Sequence, residues 1–417
     1  MVNQAPIPHG YKKTQVGVIP NDWEVKTIKE LYVLKNGINA DQKKYGTGIK
    51  FINVLEVITK NSMLYEDIPG FVSITPETVK TYLVKKGDVL FNRTSETQEE
   101  VGLASVYLDD NEVVFGGFVI RAQPIDNSID CFFSKYIFLS KSVRKDIIKR
   151  GQGAIRANIG QNDLYKVKLP LPPLSEQRAI AEVLKDIDDL ISALDRLIDK
   201  KRNIKQGAMQ QLLTGKKRLP GFSGKWETKK LGEIAEIRRG ASPRPIDDPI
   251  WFSSSGRGWI RITDVTRSNI FLNETTQYLS KLGVERSVKV DKGELIMSIC
   301  ATIGIPVILN IDACIHDGFV LFRDYEKELD KLFLLYLLKK STKKLADSGQ
   351  SGTQKNLNTA IINNFQIPLP PLAEQEAIAR VLSDMDAEIE ALEKKREKYT
   401  AIKNGMMHEL LTGKTRI

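Results

Sequence analysis

Side chains able to read the edge of a base recur along this chain in short polar loops. In the first half, Arg93, Thr94 and Ser95 follow an apolar stretch, and Gln152, Arg156 and Asn158 lie in a Gly-rich loop. Lys43, Lys44 and Tyr45 add a basic loop with an aromatic member. In the second half, Arg238, Arg239, Arg244, Arg257, Arg261 and Arg267 crowd one stretch. Ser298 and Thr302 stand at the place equivalent to the Arg93 loop, while Gln350, Lys355, Asn356 and Asn358 match the Gly-rich loop. Arg, Asn and Gln make bidentate contacts to guanine and adenine edges in the major groove. Lys, Ser and Thr suit phosphates. Taken singly, each of these reads as an ordinary solvated loop residue. The nucleic-acid reading rests on their recurrence at matching places, with chemistry that changes between the matches, as two readers of different sequences require.

Signatures of catalysis are absent from the sequence. It has no Walker-type phosphate loop, since Gly215-Lys216 lacks the upstream glycine, and no HExxH, GxSxG or dinucleotide fingerprint. The Asn-Pro-Pro-aromatic tetrapeptide used by amino-methyltransferases does not occur either. Acidic pairs such as Asp188-Asp189 and Asp247-Asp248 read as helix surface and loop. Three cysteines (Cys131, Cys300, Cys314) and three scattered histidines form no CxxC pair or zinc spacing, so neither a metal nor a disulfide framework is expected.

The elements that must position the loops come in duplicate. Pro170-Leu171-Pro172-Pro173-Leu174-Ser175-Glu176-Gln177 reappears as Pro368-Leu369-Pro370-Pro371-Leu372-Ala373-Glu374-Gln375. The match runs ungapped to Leu212-Leu213-Thr214-Gly215-Lys216 and Leu410-Leu411-Thr412-Gly413-Lys414, with about 28 identities in about 50 positions. Weaker echoes lie upstream: Trp23-Glu24 against Trp226-Glu227, Lys86-Gly87-Asp88 against Lys292-Gly293-Glu294, and Gly117-Phe118-Val119 against Gly318-Phe319-Val320. Units of about 200 residues are too large for a solenoid repeat, so this is domain duplication.

Each unit predicts a short helix (27–34 or 230–237) and then apolar, β-branched strands. These are 50–58, 89–92, 104–108 and 113–121 in the first unit, and 258–265, 294–299, 305–310 and 314–323 in the second. A helix follows at 132–149 or 329–345, then the Gly-rich loop and the Pro-rich junction. The expected class is mixed α/β (α+β), with small mixed sheets. The expected layout is a globular domain over 1–169, a junction and helix over 170–216, a second domain over 217–367, and a second junction and helix over 368–417.

After each junction, apolar residues alternate spacings of four and three: Ile180, Leu184, Ile187, Ile191 and Leu194, then Ile378, Leu382, Met385, Ile389 and Leu392. That is a coiled-coil seam. Basic runs at 200–202 and 394–398 interrupt it before Ile204 and Ile402 resume it, and Gly215 and Gly413 are natural C′ residues. A helix of about 38 residues is about 57 Å long. Two such stripes complete each other as an antiparallel intramolecular pair, a spacer between two domains.

Overall composition fits a folded protein with a polyanionic partner. Of the 417 residues, 41% are hydrophobic and 27% charged, and the net charge is +10. The N-terminus carries no apolar signal segment and the most apolar run, 332–338, is too short for a membrane span, so a soluble, cytoplasmic protein is expected.

The Trp-Glu opening, the Gly-Asp/Glu strand segment, the PLPPLxEQ junction and the helix ending in LLTGK, each present twice, closely resemble the DNA-specificity subunit of Type I restriction–modification systems. The resemblance spans essentially 16–417. It implies two target-recognition domains that read the two parts of a split double-stranded DNA site, with the helices setting the gap. It implies two modification subunits as partners, which carry S-adenosylmethionine and methylate adenine N6 while docked on the duplicated helices. Two restriction subunits carrying ATP and Mg are the further partners it admits. No cofactor, metal or catalytic group is then expected on this chain. A free-standing two-domain DNA-binding regulator and a coiled-coil interaction scaffold are the competing readings: co-purification with a methyltransferase would exclude the first, and salt-dependent DNA binding the second.

Overall fold

The computed structural model describes residues 7–153, 156–348 and 357–417. The chain forms two compact units, one from Met1–Asp195 with Lys395–Ile417 and the other from Arg196–Lys394.

In the first unit, a five-stranded sheet runs in the order Tyr32–Asn36, Val119–Pro124, Val89–Asn92, Ala104–Tyr107, Ser62–Met63; only the last pairing is parallel. The second unit repeats this order and polarity with Glu236–Arg239, Phe319–Arg323, Leu295–Ser298, Pro306–Leu309 and Phe271–Leu272. A second sheet accompanies each. It has three strands in the first unit (Val114–Phe115, Tyr45–Ile52, Phe71–Val72). In the second unit it has five: Phe252–Ser253, Gln277–Leu279, Arg257–Ile260, Ala313–Ile315 and Val288–Val290. The α/β class with small mixed sheets is thus realised twice.

Several expected boundaries move, for local reasons. The apolar runs 50–58 and 258–265 are each a strand followed by a short helix, Val54–Thr59 or Ile262–Arg267. A carboxylate three residues after the cap starts each helix: Glu56 accepts the Asn53 N–H (2.7 Å), and Asp264 accepts the Arg261 N–H (2.9 Å). The runs 113–121 and 314–323 are each two strands belonging to different sheets. The first short helices end at Leu31 and Ile234, where a strand takes over. The single helix expected at 132–149 is two, Cys131–Ile137 and Lys141–Arg150, because the backbone turns extended at Ser140, just before the second. Its counterpart Lys331–Asp347 is continuous.

One sequence parallel shifts by a residue. Val119 pairs with Asn92 and Phe319 with Ser298, so Gly117-Phe118-Val119 matches Asp317-Gly318-Phe319, not 318–320. Backbone bonds Val119 N–H to Gly116 C=O and Phe319 N–H to His316 C=O confirm that register.

The long helices span Leu174–Leu212 and Leu372–Leu410, 39 residues each. Their glycine caps are as expected, Gly215 at φ +66° and Gly413 at φ +69°. In the first unit their packing is antiparallel: Asp188 pairs with Lys403, Asp195 with Arg396 and Glu176 with Arg416. In the second, Lys205 pairs with Asp386, Lys201 with Glu388 and Arg202 with Glu393. Ile180, Leu184, Ile187, Leu194, Ile378, Leu382 and Ile389 are buried, while Ile191, Met385 and Leu392 are half-buried.

The expected return of the seam at Ile204 and Ile402 is incorrect, since they are 48% and 39% exposed. The spacing of three and four instead continues through Lys201, Lys205, Ala208 and Leu212, and, past exposed Arg396, through Tyr399, Lys403, Met406 and Leu410. Three lysines therefore occupy seam positions, which a search for apolar residues skips. Lys205 and Lys403 are each held by a cluster centred on an aspartate, half-buried at Asp188 and buried at Asp386. Asp188 accepts from Lys135 (2.8 Å), Tyr136 (2.9 Å) and Lys403. Asp386 accepts from Tyr336 (2.8 Å), Asn269 (3.0 Å) and Lys205. Burial pushes the Asp188 carboxyl up, but its two lysines outweigh that and hold it below the usual carboxylate range.

The junction motif has a direct structural reason. Its prolines lie in or beside strand Lys168–Leu171, paired with Glu24–Thr27, and strand Gln366–Leu369, paired with Glu227–Lys230. Buried Glu176 accepts the Trp23 indole N–H (2.9 Å) and a two-pronged contact from Arg416; buried Glu374 accepts the Trp226 N–H (3.0 Å) and Arg218. Gln177 and Gln375 each accept one loop N–H, from Asp130 or Asp330, and donate to two carbonyls. Each motif thereby rivets its sheet domain to its helix.

Candidate nucleic-acid interface

In the first unit the structure joins two of the three expected loops. Strand Thr94–Ser95 pairs with Ala157–Asn158. The Thr94 hydroxyl donates to Asn158 Oδ1 (2.7 Å), and Gln152 and Asn158 exchange backbone hydrogen bonds of 2.8 Å. Gln152, Arg156 and Asn158 are exposed, and Arg93 is half-buried with Nη1 3.5 Å from the Gly117 carbonyl. Ser95 is buried and donates to Glu100 (2.9 Å), so it shapes the loop. Lys43 and Lys44 stand elsewhere, in the turn Gln42–Lys44, and exposed Tyr45 opens a strand of the three-stranded sheet with its ring edge-on to Phe51 (5.3 Å).

In the second unit, three of the six arginines gather around Asp317 and His316. Arg239 Nε donates to the Asp317 carbonyl (2.8 Å), and Arg244 donates to its carboxylate (3.2 Å) beside Ser242 (2.7 Å). These contacts, Ser242 first, hold the Asp317 carboxyl below its usual value. Arg261 and His316 both line a cavity of about 450 Å³. Arg238 is exposed on its strand, and Arg267 lines a different cavity with Asp264 and Asp386.

Burial and hydrogen bonding remove some residues from the candidate set. Arg257 spends its donors on the Ala313 (2.9 Å) and Val290 (2.8 Å) carbonyls and on Asp291, tying two strands together. Ser298 is 1% exposed, and its hydroxyl donates to the Thr302 carbonyl and accepts the Ile305 N–H. Exposed Thr302 forms the outside of that turn. Asn358 caps helix Thr359–Asn363 through the Ile361 N–H (2.8 Å). Gln350, Lys355 and Asn356 lie outside the described residues.

Two groups beside the arginines escape a search for polar loops. Trp259 is fully buried on strand Arg257–Ile260, and His316 lies with its ring 5.7 Å from the Trp259 ring. Burial, with Arg261 nearby, drives the His316 pKa down to about 4, so its imidazole is neutral at physiological pH. A rare residue beside a sheet-switching bend was the sequence signal available.

A duplicated scaffold, duplicated rivets and unlike loops define a two-domain recognition protein. The family model for the Type I restriction modification DNA specificity domain matches residues 20–203 and 223–400, and the chain belongs to that family. It is 30% identical to the putative type I restriction enzyme MjaX specificity subunit of Methanocaldococcus jannaschii, over 98% of this chain and 97% of that one. In fold it is similar to the type I restriction–modification S subunit of M. genitalium (TM-score 0.58, 17% identity, 93% and 96% of the two chains). A chain from a type I R-M structure concerned with complex assembly and conformational transition gives a TM-score of 0.63 at 18% identity, covering 95% and 99%. No described helix is long and apolar enough to cross a membrane.

Proposed function

We propose that this chain is the non-catalytic DNA-recognition subunit of a Type I restriction–modification complex, each unit reading one part of a split double-stranded site. The observation that carries this is the contrast inside the duplication: the five-stranded sheet and its rivets recur, while the second sheet and the loops differ. A frame repeated with changed reading surfaces suits an asymmetric bipartite target. The polar and arginine-bearing loops supply base and phosphate contacts.

The duplicated helices set the gap and dock two modification subunits. Those partners carry S-adenosylmethionine and methylate adenine N6; restriction subunits, where they join, bring ATP and Mg. The four segments 1–169, 170–216, 217–367 and 368–417 are the functional divisions, reading domain and spacer alternating. Adding seven residues to both long helices lengthens each by about 10.5 Å, about three base pairs of duplex. Methylation mapping of cells expressing this variant with its modification subunit should show an enlarged gap and unchanged half-sites. An unchanged gap would refute the spacer role.

A further inference from the structure

The cavity at the foot of strand Arg257–Ile260 is lined by Trp259, His316, Arg244, Arg261, Asp317 and Ser242 among others. Its lining is rich in hydrogen-bond donors. The Trp259 Nε1–H is buried and has no partner among the described residues. An indole N–H can only donate, and leaving one buried and unpaired costs free energy unless a ligand's acceptor reaches it. His316 Nδ1 accepts the Gly318 N–H (2.9 Å), so the neutral ring carries its proton on Nε2, a second donor. The side chain of Arg261 is exposed and its guanidinium has no partner among the described residues. The carboxylate of Asp317, the acceptor of the set, takes one donor on each oxygen, Ser242 on Oδ1 and Arg244 on Oδ2.

We propose that this cavity is a specificity-determining site of the second unit, receiving the major-groove edge of one guanine. The inference rests on the DNA-reading function proposed above. Guanine presents N7 and O6 side by side, both acceptors, whereas adenine and cytosine would bring an amino donor against donors. A phosphate is also acceptor-rich, but the first unit argues against it. Phe51 pairs in parallel with Val114 as Trp259 does with Cys314, and Gly116 holds the backbone place of His316. At the helix cap, Asn53 stands where Arg261 stands. Phosphates are common to every site, and a device for holding them would be expected in both units. These donors occur in one, as a base-reading determinant would.

The test is adenine-methylation mapping with the full chain co-expressed with its modification subunit, comparing wild type, R261A and W259F. Arg261 is exposed, so its truncation leaves the fold intact. With R261A, discrimination for guanine at one position of one half-site should fall about tenfold to a hundredfold, with the other half unchanged. W259F, which removes the N–H and keeps an aromatic though smaller ring, should relax the same position by a smaller factor. An unchanged motif with R261A, relaxation at a base other than guanine, or an equal loss across all sequences as for a phosphate contact would each overturn the proposal. Failure of the underlying reading looks different: the wild-type complex itself would give no split methylated motif.

Discussion

The helical frame and the reading sheets of this molecule have diverged to different degrees. In the frame, Glu176 and Glu374, Gln177 and Gln375, Tyr136 and Tyr336, and Asp188 and Asp386 make matching contacts. In the sheets, three strands face five, Gly116 faces His316, and Asn53 faces Arg261. The frame's residues are buried and act as sets, so changing one strands its partners. An exposed loop residue touches little else and can change alone. Covariation of need, rather than sequence distance, separates the two regions.

Removing the buried carboxylates tests this equivalence most strongly. D188A leaves Lys135 and Lys403 facing each other, and D386A leaves Lys205 against the Tyr336 hydroxyl; each should lose about 3 kcal/mol of stability in denaturant titrations. A loss in only one unit would show that the frame is equivalent in sequence but not in energetics.

The cap glycines sharpen the comparison. Both have left-handed φ, so either alanine variant costs about 1 kcal/mol. A Cβ on Gly413 would fall 2.4 Å from Pro20, whereas on Gly215 the nearest atom is the Trp226 ring at 3.4 Å. G413A should therefore lower the melting temperature more than G215A, and equal shifts would mean that the Pro20 contact yields at no cost.

Acidity separates the two units by the sign of its effect. Burial raises the Asp88 carboxyl to about 6, against pulls from the Lys85 N–H and Arg121. The folded chain then holds a proton between about pH 4 and 6 that the unfolded chain releases, so this group's contribution falls as pH rises through that window. His316 is the reverse: with a folded value of about 4 against 6.5, the unfolded chain binds the extra proton, and its contribution is lost as pH falls from 6.5. Melting curves from pH 4 to 7 should show H316Q with a shallower acid loss than wild type and D88N with a steeper one. Slopes moving in the same direction would contradict these environments.

Much of the frame was legible because duplication and periodicity are one-dimensional signals. The junction, the helices, their glycine ends and most seam positions could be read along the chain. The seam beyond Ile198 was misread because Lys205 and Lys403 are polar, and their role depends on aspartates more than 180 residues away. Capped turns at Asn53 and Arg261 were hidden within β-branched runs for a similar reason, since a carboxylate three residues on overrides strand propensity.

By itself, the sequence determined the duplication, the α/β class, the two long helices with their caps and the positions of the polar loops, because each follows from local composition or spacing. Tertiary structure alone decided which of those loop residues keep free hydrogen-bond donors. Arg257 and Arg261 are four residues apart and alike in composition. The first is spent on two backbone carbonyls and Asp291, and the second stands unpaired among the described residues, beside a buried indole and a neutral imidazole. Availability of a donor depends on what folds against it, and no property of the residue itself records that.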